Sequence, residues 1–497
     1  MKRKQIIILL FLIILLGTFL RFYHIGKESF WLDESATALT LKKYSIGEIF
    51  HNTVVKGQIL PGYYDSNLDL PPYYILIKIW SNLFGVSEVS LRSFSALFGF
   101  LAIPVIYFLS KELFNEKTGL IASFLFSLNV VMIEYSQEAR LYNMLIFIVL
   151  LSAYFLIRSL KTNENKYVAG FFISNIAGVY THYPFLFFVI FELVFMFILL
   201  IKEYLTSKKF KVSKIQVAAL SLVIFYIPLV PRLLNPKFVS THYIGKFSLG
   251  NLIRLFLQIN TWFYPSQQLR DKLNSIQINL FLFSEWVLVV SVLFLAILLI
   301  IFVLRNFMKI KNINNNKLFL LLWLAIPSIA GFAVLYRSIM TFGSLKYFIF
   351  IVPAYLILAA NGIATFKNKT IELFVLIVIL LSIAPLCSYY TNPSKLQYRE
   401  AVKFLEDNSN NKENIIVNLP SVIVPLNYYS DKLANVYGIN NLEEAKKISS
   451  NSDSLWVIFS TKYADQDGKI KNFLDGNYLL LDSKHFYDVS IYHYSKK

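Results

Sequence analysis

The chain is poor in the residues that build most soluble sites. It has one cysteine among 497 residues. Cys387 alone excludes an intrachain disulfide and any cysteine-based metal centre, and it reads as a small buried apolar residue. The six histidines include no pair at zinc-ligand spacing, and His51 and His242 stand alone in loops. Neither a glycine-rich dinucleotide fingerprint nor a phosphate-binding loop occurs. Charged residues make up only 16% of the chain, where a soluble domain carries roughly 25%.

Long apolar runs take their place. They fall at residues 6–20, 88–110, 119–135, 141–158, 167–181, 183–202, 215–231, 282–304, 318–336, 345–364 and 369–389. A bilayer crossing takes about 20 apolar residues, so the pattern predicts a polytopic α-helical membrane protein with about 11 spans. The basic start MKRK precedes the first run, and no small-residue cleavage site follows it, so it reads as a retained span. With the N-terminus in the cytoplasm, every loop expected inside is rich in Lys and Arg, as the positive-inside rule requires. The expected extracytoplasmic segments are 23–87, the turn near 136–140, THYP at 181–184, 232–281, and everything after about Ser388.

The net charge of +18 does not indicate nucleic acid. From Lys395 onward the chain holds 13 Lys and Arg against 13 Asp and Glu, so the excess lies in the apolar part. There is no single basic stripe with interleaved aromatics. After Pro393 the pattern changes. REAVKFLEDN and LEEAKKI have helical periodicity, while NIIVNL and SLWVIFS read as buried strands. Residues 395–497 are therefore expected to form a small extracytoplasmic α/β domain with a partly parallel sheet, following a transmembrane domain over 1–394. An interfacial helix is expected at 69–85, starting at a double proline, and another within FSLGNLIRLFLQINTWFYP of the 232–281 segment.

The informative polar residues lie at expected outer span ends. Asp33 and Glu34 stand in the apolar setting FWLDESATAL. Adjacent residues on a helix face different ways, so the two acids serve different partners. The bland alternative is a pair of solvated loop acids. Glu134, Glu138 and Arg140 crowd the turn EYSQEARLYNM, which otherwise only marks a membrane boundary. His182 sits between tyrosines in YTHYPF and could equally be a belt residue. Lys78, Arg92, Arg337 and Lys346 each read singly as snorkelling cations. As a set they would ring an outward cavity with positive charge and bind a phosphate-bearing lipid. A hard divalent cation, Mg or Mn, would find its ligands at Asp33 or Glu34.

Taken together, these motifs resemble the dolichyl-phosphate-mannose-protein mannosyltransferases, glycosyltransferase family 39. WLDES resembles the family's Asp-Glu motif in the first external loop. LPPYY resembles its H-P-P-L-Y-Y, SLRSFSALFGF its A-L-R span, and YSQEARLY its Y-S-Q-E-A-R-x-Y. THY and LKYFIFIVPAYLILAANGI are weaker likenesses, and QYREAVKFLEDN resembles the start of a small external domain. The strong match covers about residues 20–185. Two departures stand out: Leu70, with Asp69 before it, replaces the histidine, and Lys346 replaces an arginine and loses its planar fork.

The resemblance implies the GT-C fold and a sugar donor on a polyprenyl phosphate, used on the extracytoplasmic face of the cell (plasma) membrane. It is consistent with Asp33 as the catalytic base for the acceptor hydroxyl and Glu34 as the catalytic-site carboxylate that positions the acceptor or a partner residue, with Arg140, Lys78, Arg92, Lys346 and Arg337 on the donor phosphate. Substrate contacts fall to Glu138, Tyr142, His182, Tyr73, Tyr74 and Asp69. The acceptor is a hydroxyl of a glycan, a lipid or a protein, and no cofactor is required. Two other classes use similar ligands: a transporter or flippase of lipid-linked sugars, and a surface-glycan polymerase or ligase. No internal repeat supports alternating access.

Overall fold

The computed structural model describes residues 2–56, 59–60, 70–209, 212–233, 282–307, 314–337, 346, 348–410, 413–460, 465 and 467–497. Asp69 and the helix expected within 247–265 lie outside them. The chain forms two compact units. One comprises Met1–Tyr23, Asp65–Leu76 and Arg92–Tyr390; the other comprises His24–Tyr64, Ile77–Leu91 and Thr391–Lys497.

The first unit is helical. Its elements include α1 (Arg3–Phe22), and helix α2 (Leu32–Lys43), next in the chain, belongs to the other unit. Helix α3 (Ile46–His51) follows, and α4 (Pro71–Phe84) starts at the double proline, where the missing amide hydrogens cost nothing. Next come α5 (Glu88–Leu113), α6 (Glu116–Leu128), α7 (Val130–Ser136), α8 (Tyr142–Thr162), α9 (Asn165–Thr181), α10 (Phe185–Ser207) and α11 (Lys214–Tyr226). The apolar series ends with α12 (Phe283–Arg305), α13 (Asn315–Arg337), α14 (Val352–Ala364) and α15 (Asn368–Thr391). Among the described residues, six helices are long and apolar enough to cross a membrane alone, and α6 with α7 makes a seventh if counted as one bent span. Lys214–Leu229 and Ile349–Ala364 are apolar but shorter. Cys387, expected to be buried, is exposed on α15, on the outer side of an apolar helix.

The bend between α6 and α7 is 60°. A helix that stops among apolar neighbours leaves its last carbonyls without water, and each must find a donor. Arg21, fully buried at the end of α1, supplies them. It donates to Phe126 O at 3.2 Å and Ser127 O at 3.3 Å, and to Gly17 O of its own helix at 2.9 Å. Asn129 then starts α7, its side chain accepting from the Met132 amide at 3.1 Å. The open end of α1 is closed in turn from α7's far side. Gln137 donates from one amide nitrogen to Leu20 O, Arg21 O and Tyr23 O at 3.3, 3.1 and 2.8 Å. Its carbonyl oxygen accepts from Tyr389 of α15 at 2.9 Å.

Aromatic packing and close approach complete this unit. Trp323 of α13 lies among Phe188, Phe191 and Phe319, and its indole donates to Phe350 O at 2.8 Å. Gly362 of α14 lets α12 come so near that a Cβ there would stand 2.0 Å from Phe302 O.

The second unit is built on a mixed sheet. Helix α16 (Tyr398–Asn408) leads into β1 (Asn414–Val417), α17 (Ile423–Tyr429), β2 (Val436–Gly438), α18 (Leu442–Ser450), β3 (Ser454–Ser460), α19 (Lys469–Asn477), β4 (Tyr478–Phe486) and β5 (Val489–Lys496). The order is β2-β1-β3-β5-β4. β1 runs parallel to β2 and β3, with Ile416 beside Val457, while β5 is antiparallel to β3 and β4. Alternation along β3 sends Trp456 and Ile458 to a core with Val402 and Leu405, and Leu455 and Val457 to a core with Leu474 and Tyr494. Helix α2 packs on α17: Phe30 meets Tyr428 edge-on at 5.2 Å, and Lys42 donates to Tyr428 O at 3.2 Å.

The Gly362 contact is with backbone, which cannot swing aside. Gly362→Ala is expected to cost about 1–3 kcal/mol and to lower the thermal midpoint in detergent. Gly47→Ala, where nothing lies within 4 Å, should leave the midpoint unchanged or slightly raised.

Candidate functional site

The turn EYSQEARLY lies in the first unit. Once Gln137 is fastened to α1, residues 138–141 must run from the end of α7 to the start of α8, and Arg140 is presented between them. Its amide donates to Glu138 O at 2.7 Å, and its carbonyl accepts from Ser95 of α5 at 3.1 Å. The guanidinium donates to the Tyr74 hydroxyl at 3.0 Å. Tyr74 and Tyr73 are buried and meet edge-on, with Tyr73 also against Phe94. Tyr142 is buried between Tyr135 and His182, with ring centres 5.0 and 6.5 Å away. Glu134, Glu138 and Arg92 are buried as well, so Arg92 is a buried cation rather than a snorkelling one.

His182 reports the charge around it. It ends α9, its amide donating to Gly178 O at 3.0 Å, and its ring is buried with Nδ1 unpaired among the described residues. Burial, then the positive charges of Arg140 and Lys346, lower its pKa to about 3. His182 is therefore a neutral imidazole at physiological pH. Arg140 and Lys346 are both half-buried, and their positive charges add to burial in lowering that pKa. Two cations in a partly desolvated setting favour an anion. Arg337 ends α13, and its side chain lies outside the described residues.

The acidic pair lies in the second unit, on the first turn of α2. Acids there complement the positive end of the helix, and Lys42 and Lys43 complement the other end. The two carboxylates part company at once. Asp33 is half-buried, while Glu34 has no exposed surface. Glu34 accepts from the Trp31 amide at 3.4 Å and from the Lys395 ammonium at 3.0 Å. Lys78 donates to Leu41 O at 2.6 Å and so caps the far end of α2. Among the described residues no three His, Cys, Asp or Glu side chains gather as a metal cluster.

Sequence reasoning passed over Arg21, Gln137 and Lys395. Arg21 carried one signal, a charge at the end of an otherwise apolar helix. Gln137 stood in the quoted motif without a role. Lys395 had no local signal, since its partner is 361 positions away.

Residues 69–231 match the family model described as dolichyl-phosphate-mannose-protein mannosyltransferase. The turn with Arg140 lies inside that stretch, and Asp33 and Glu34 lie outside it. YkcB of Bacillus subtilis strain 168, which carries the provisional name of mannosyltransferase, is 26% identical over 177 residues, covering 35% of this chain and 24% of YkcB. The chain spans about a quarter of the length of the curated relatives it matches. Among solved structures, ArnT from Cupriavidus metallidurans bound to undecaprenyl phosphate matches with a TM-score of 0.53 at 12% identity, over 99% of this chain and 98% of that one. The Archaeoglobus fulgidus oligosaccharyltransferase with zinc and sulfate matches with a TM-score of 0.55 at 14% identity, over 98% of this chain and 73% of that one. The chain thus has the GT-C glycosyltransferase fold.

The His182 pKa predicts an acid sensitivity with a definite sign. An unfolded histidine titrates near 6.5. Between about pH 6.5 and pH 3 the unfolded chain binds a proton that the folded one refuses, so stability is full above that window and falls as pH drops through it. This amounts to up to about 3 kcal/mol at pH 4.5. His182→Gln should lose less thermal stability between pH 7 and pH 4.5 than the wild type, as read by unfolding midpoints at the two pH values.

Proposed function

We propose that this protein is an integral membrane glycosyltransferase that moves a sugar from a polyprenyl phosphate to an acceptor hydroxyl on the extracytoplasmic face. The carrying observation is the half-buried Arg140 donating to the buried Tyr74, with buried His182 against Tyr142 and the charges of Arg140 and Lys346 both lowering its pKa. The family match over that turn and the ArnT likeness, with its bound undecaprenyl phosphate, support the same donor chemistry.

In this reading the acceptor oxygen attacks the sugar's anomeric carbon as the bond from that carbon to the phosphate oxygen breaks. The acceptor proton goes to Asp33, and the bonding electrons leave with the lipid phosphate. A phosphate is a good leaving group and needs charge stabilisation more than a proton, so one base and a set of cations suffice. Arg140 provides a planar fork, which Tyr74 orients. Lys346 adds a point charge. Neutral His182 and the hydroxyls of Tyr73 and Tyr142 are assigned to the sugar and phosphate oxygens, with Glu138 beside them. Glu34 holds the turn that carries Asp33. No step calls for a metal. The sugar is a hexose or a pentose, and the N-terminus lies in the cytoplasm.

The test uses purified protein in detergent, a set of radiolabelled polyprenyl-phosphate hexoses and pentoses, and crude membrane acceptors. Asp33→Asn is expected to lower transfer by at least about 10²-fold while lipid-linked sugar still binds. Arg140→Ala should weaken donor binding and slow transfer, and Arg140→Lys should recover the charge without the fork. Near-normal transfer by Asp33→Asn would remove it as the base. Tight donor binding with no transfer by the wild type would instead favour transport.

A further inference from the structure

Residues 391–399, which follow α15, are stitched along the loop that carries the acids. The Ser394 amide and hydroxyl both donate to the Glu28 carboxylate, at 2.5 Å each. Ser29 donates to Leu396 O at 2.6 Å. Arg399 donates to Lys27 O at 2.7 Å and pairs with Glu88 at 3.1 Å, while the Tyr429 hydroxyl reaches Glu88 at 2.8 Å and the Phe30 amide at 2.5 Å. Every one of these bonds lies within the second unit.

At the centre of this seam is the pair between Lys395 and Glu34, 9% and 0% exposed in their side chains. Taking an ammonium and a carboxylate out of water costs several kcal/mol per ion, and a well-packed apolar pair of similar volume would be as stable or more so. What the ion pair adds is geometry. The Glu34 oxygen that meets Lys395 also accepts from the Trp31 amide, the residue at which α2 begins. The ammonium thus fixes the carboxylate, the carboxylate fixes the helix start, and Asp33 is carried on that first turn.

We infer that Lys395 is a positioning residue for the transfer reaction, acting through Glu34 on the orientation of Asp33. The inference rests on the reading of Asp33 as the base. A displacement of about 1 Å at a reacting group costs up to about 10²-fold in rate, so a residue that touches no substrate can still set kcat. The C-terminal segment is by this account a working part of the first loop rather than an appended module.

The test uses the full chain in detergent with Lys395→Met, Lys395→Arg, Glu34→Gln and the double variant Glu34→Gln/Lys395→Met. Hydrogen exchange is followed in peptides over residues 32–43 and over the sheet, and kinetics use the radiolabelled polyprenyl-phosphate sugar of that set which the wild type transfers. In Lys395→Met, exchange at the start of α2 should quicken by about tenfold or more while the sheet stays protected. Its kcat should fall by about tenfold or more with donor KM within about twofold of wild type. Lys395→Arg should restore both to within about threefold, and the double variant should be no slower than Glu34→Gln alone. Unchanged exchange in α2, faster exchange throughout the sheet, or a normal kcat with a loosened α2 would each overturn the inference. A wild type that transfers no sugar overturns the transferase reading instead, and the exchange experiment still decides whether Lys395 holds α2.

Discussion

In apolar surroundings a backbone carbonyl or amide has no water to fall back on. Where a helix ends there, something else must satisfy it. Two side chains meet that requirement at the two ends of α7. Arg21 answers the carbonyls where α6 stops, and Gln137 answers those where α1 stops. A kink of 60° is thereby held at one angle. The turn with Glu138 and Arg140 follows directly from it, so the placing of the cation proposed to bind phosphate rests on how two helix ends are closed. Neither closing residue needs to touch a substrate to matter for binding one.

The second unit follows the same logic with charges. Glu28, Glu34 and Glu88 each receive a donor from the segment after α15 or from α17. Acids this close to apolar residues are costly unless paired. Pairing commits Glu34 to structure, and Asp33 beside it is the acid proposed as the base. On that reading one acid of the adjacent pair builds and the other reacts, as expected of neighbours that point in different directions on a helix.

The sequence made the helices legible because apolar composition and run length determine them almost by themselves. The start of α4 was legible because Pro71 and Pro72 admit few other readings, and β1, β3, α16 and α18 because their periodicities are unambiguous. The crowded turn at Arg140 was legible as a cluster, but not its dependence on Gln137, whose partners sit more than a hundred positions away. Lys78 shows where local reasoning stops. A lysine near a span end looks the same in sequence whether it meets a phosphate or, as here, a helix carbonyl. The pair of Glu34 with Lys395 was invisible because no period or motif connects residues so far apart.

The second unit is also discontinuous in the chain, drawing on residues 24–64, 77–91 and 391–497. A ribosome adding about 5–20 residues per second spends on the order of 20–70 s between making Glu34 and making its partner Lys395, 361 positions later. For that time the first loop is present but unfinished. The apolar helices of the first unit are inserted before the acid at the start of α2 can be neutralised. Maturation of the loop is thus tied to synthesis of the segment around Lys395, and a product stalled before it carries Glu34 without its ammonium partner.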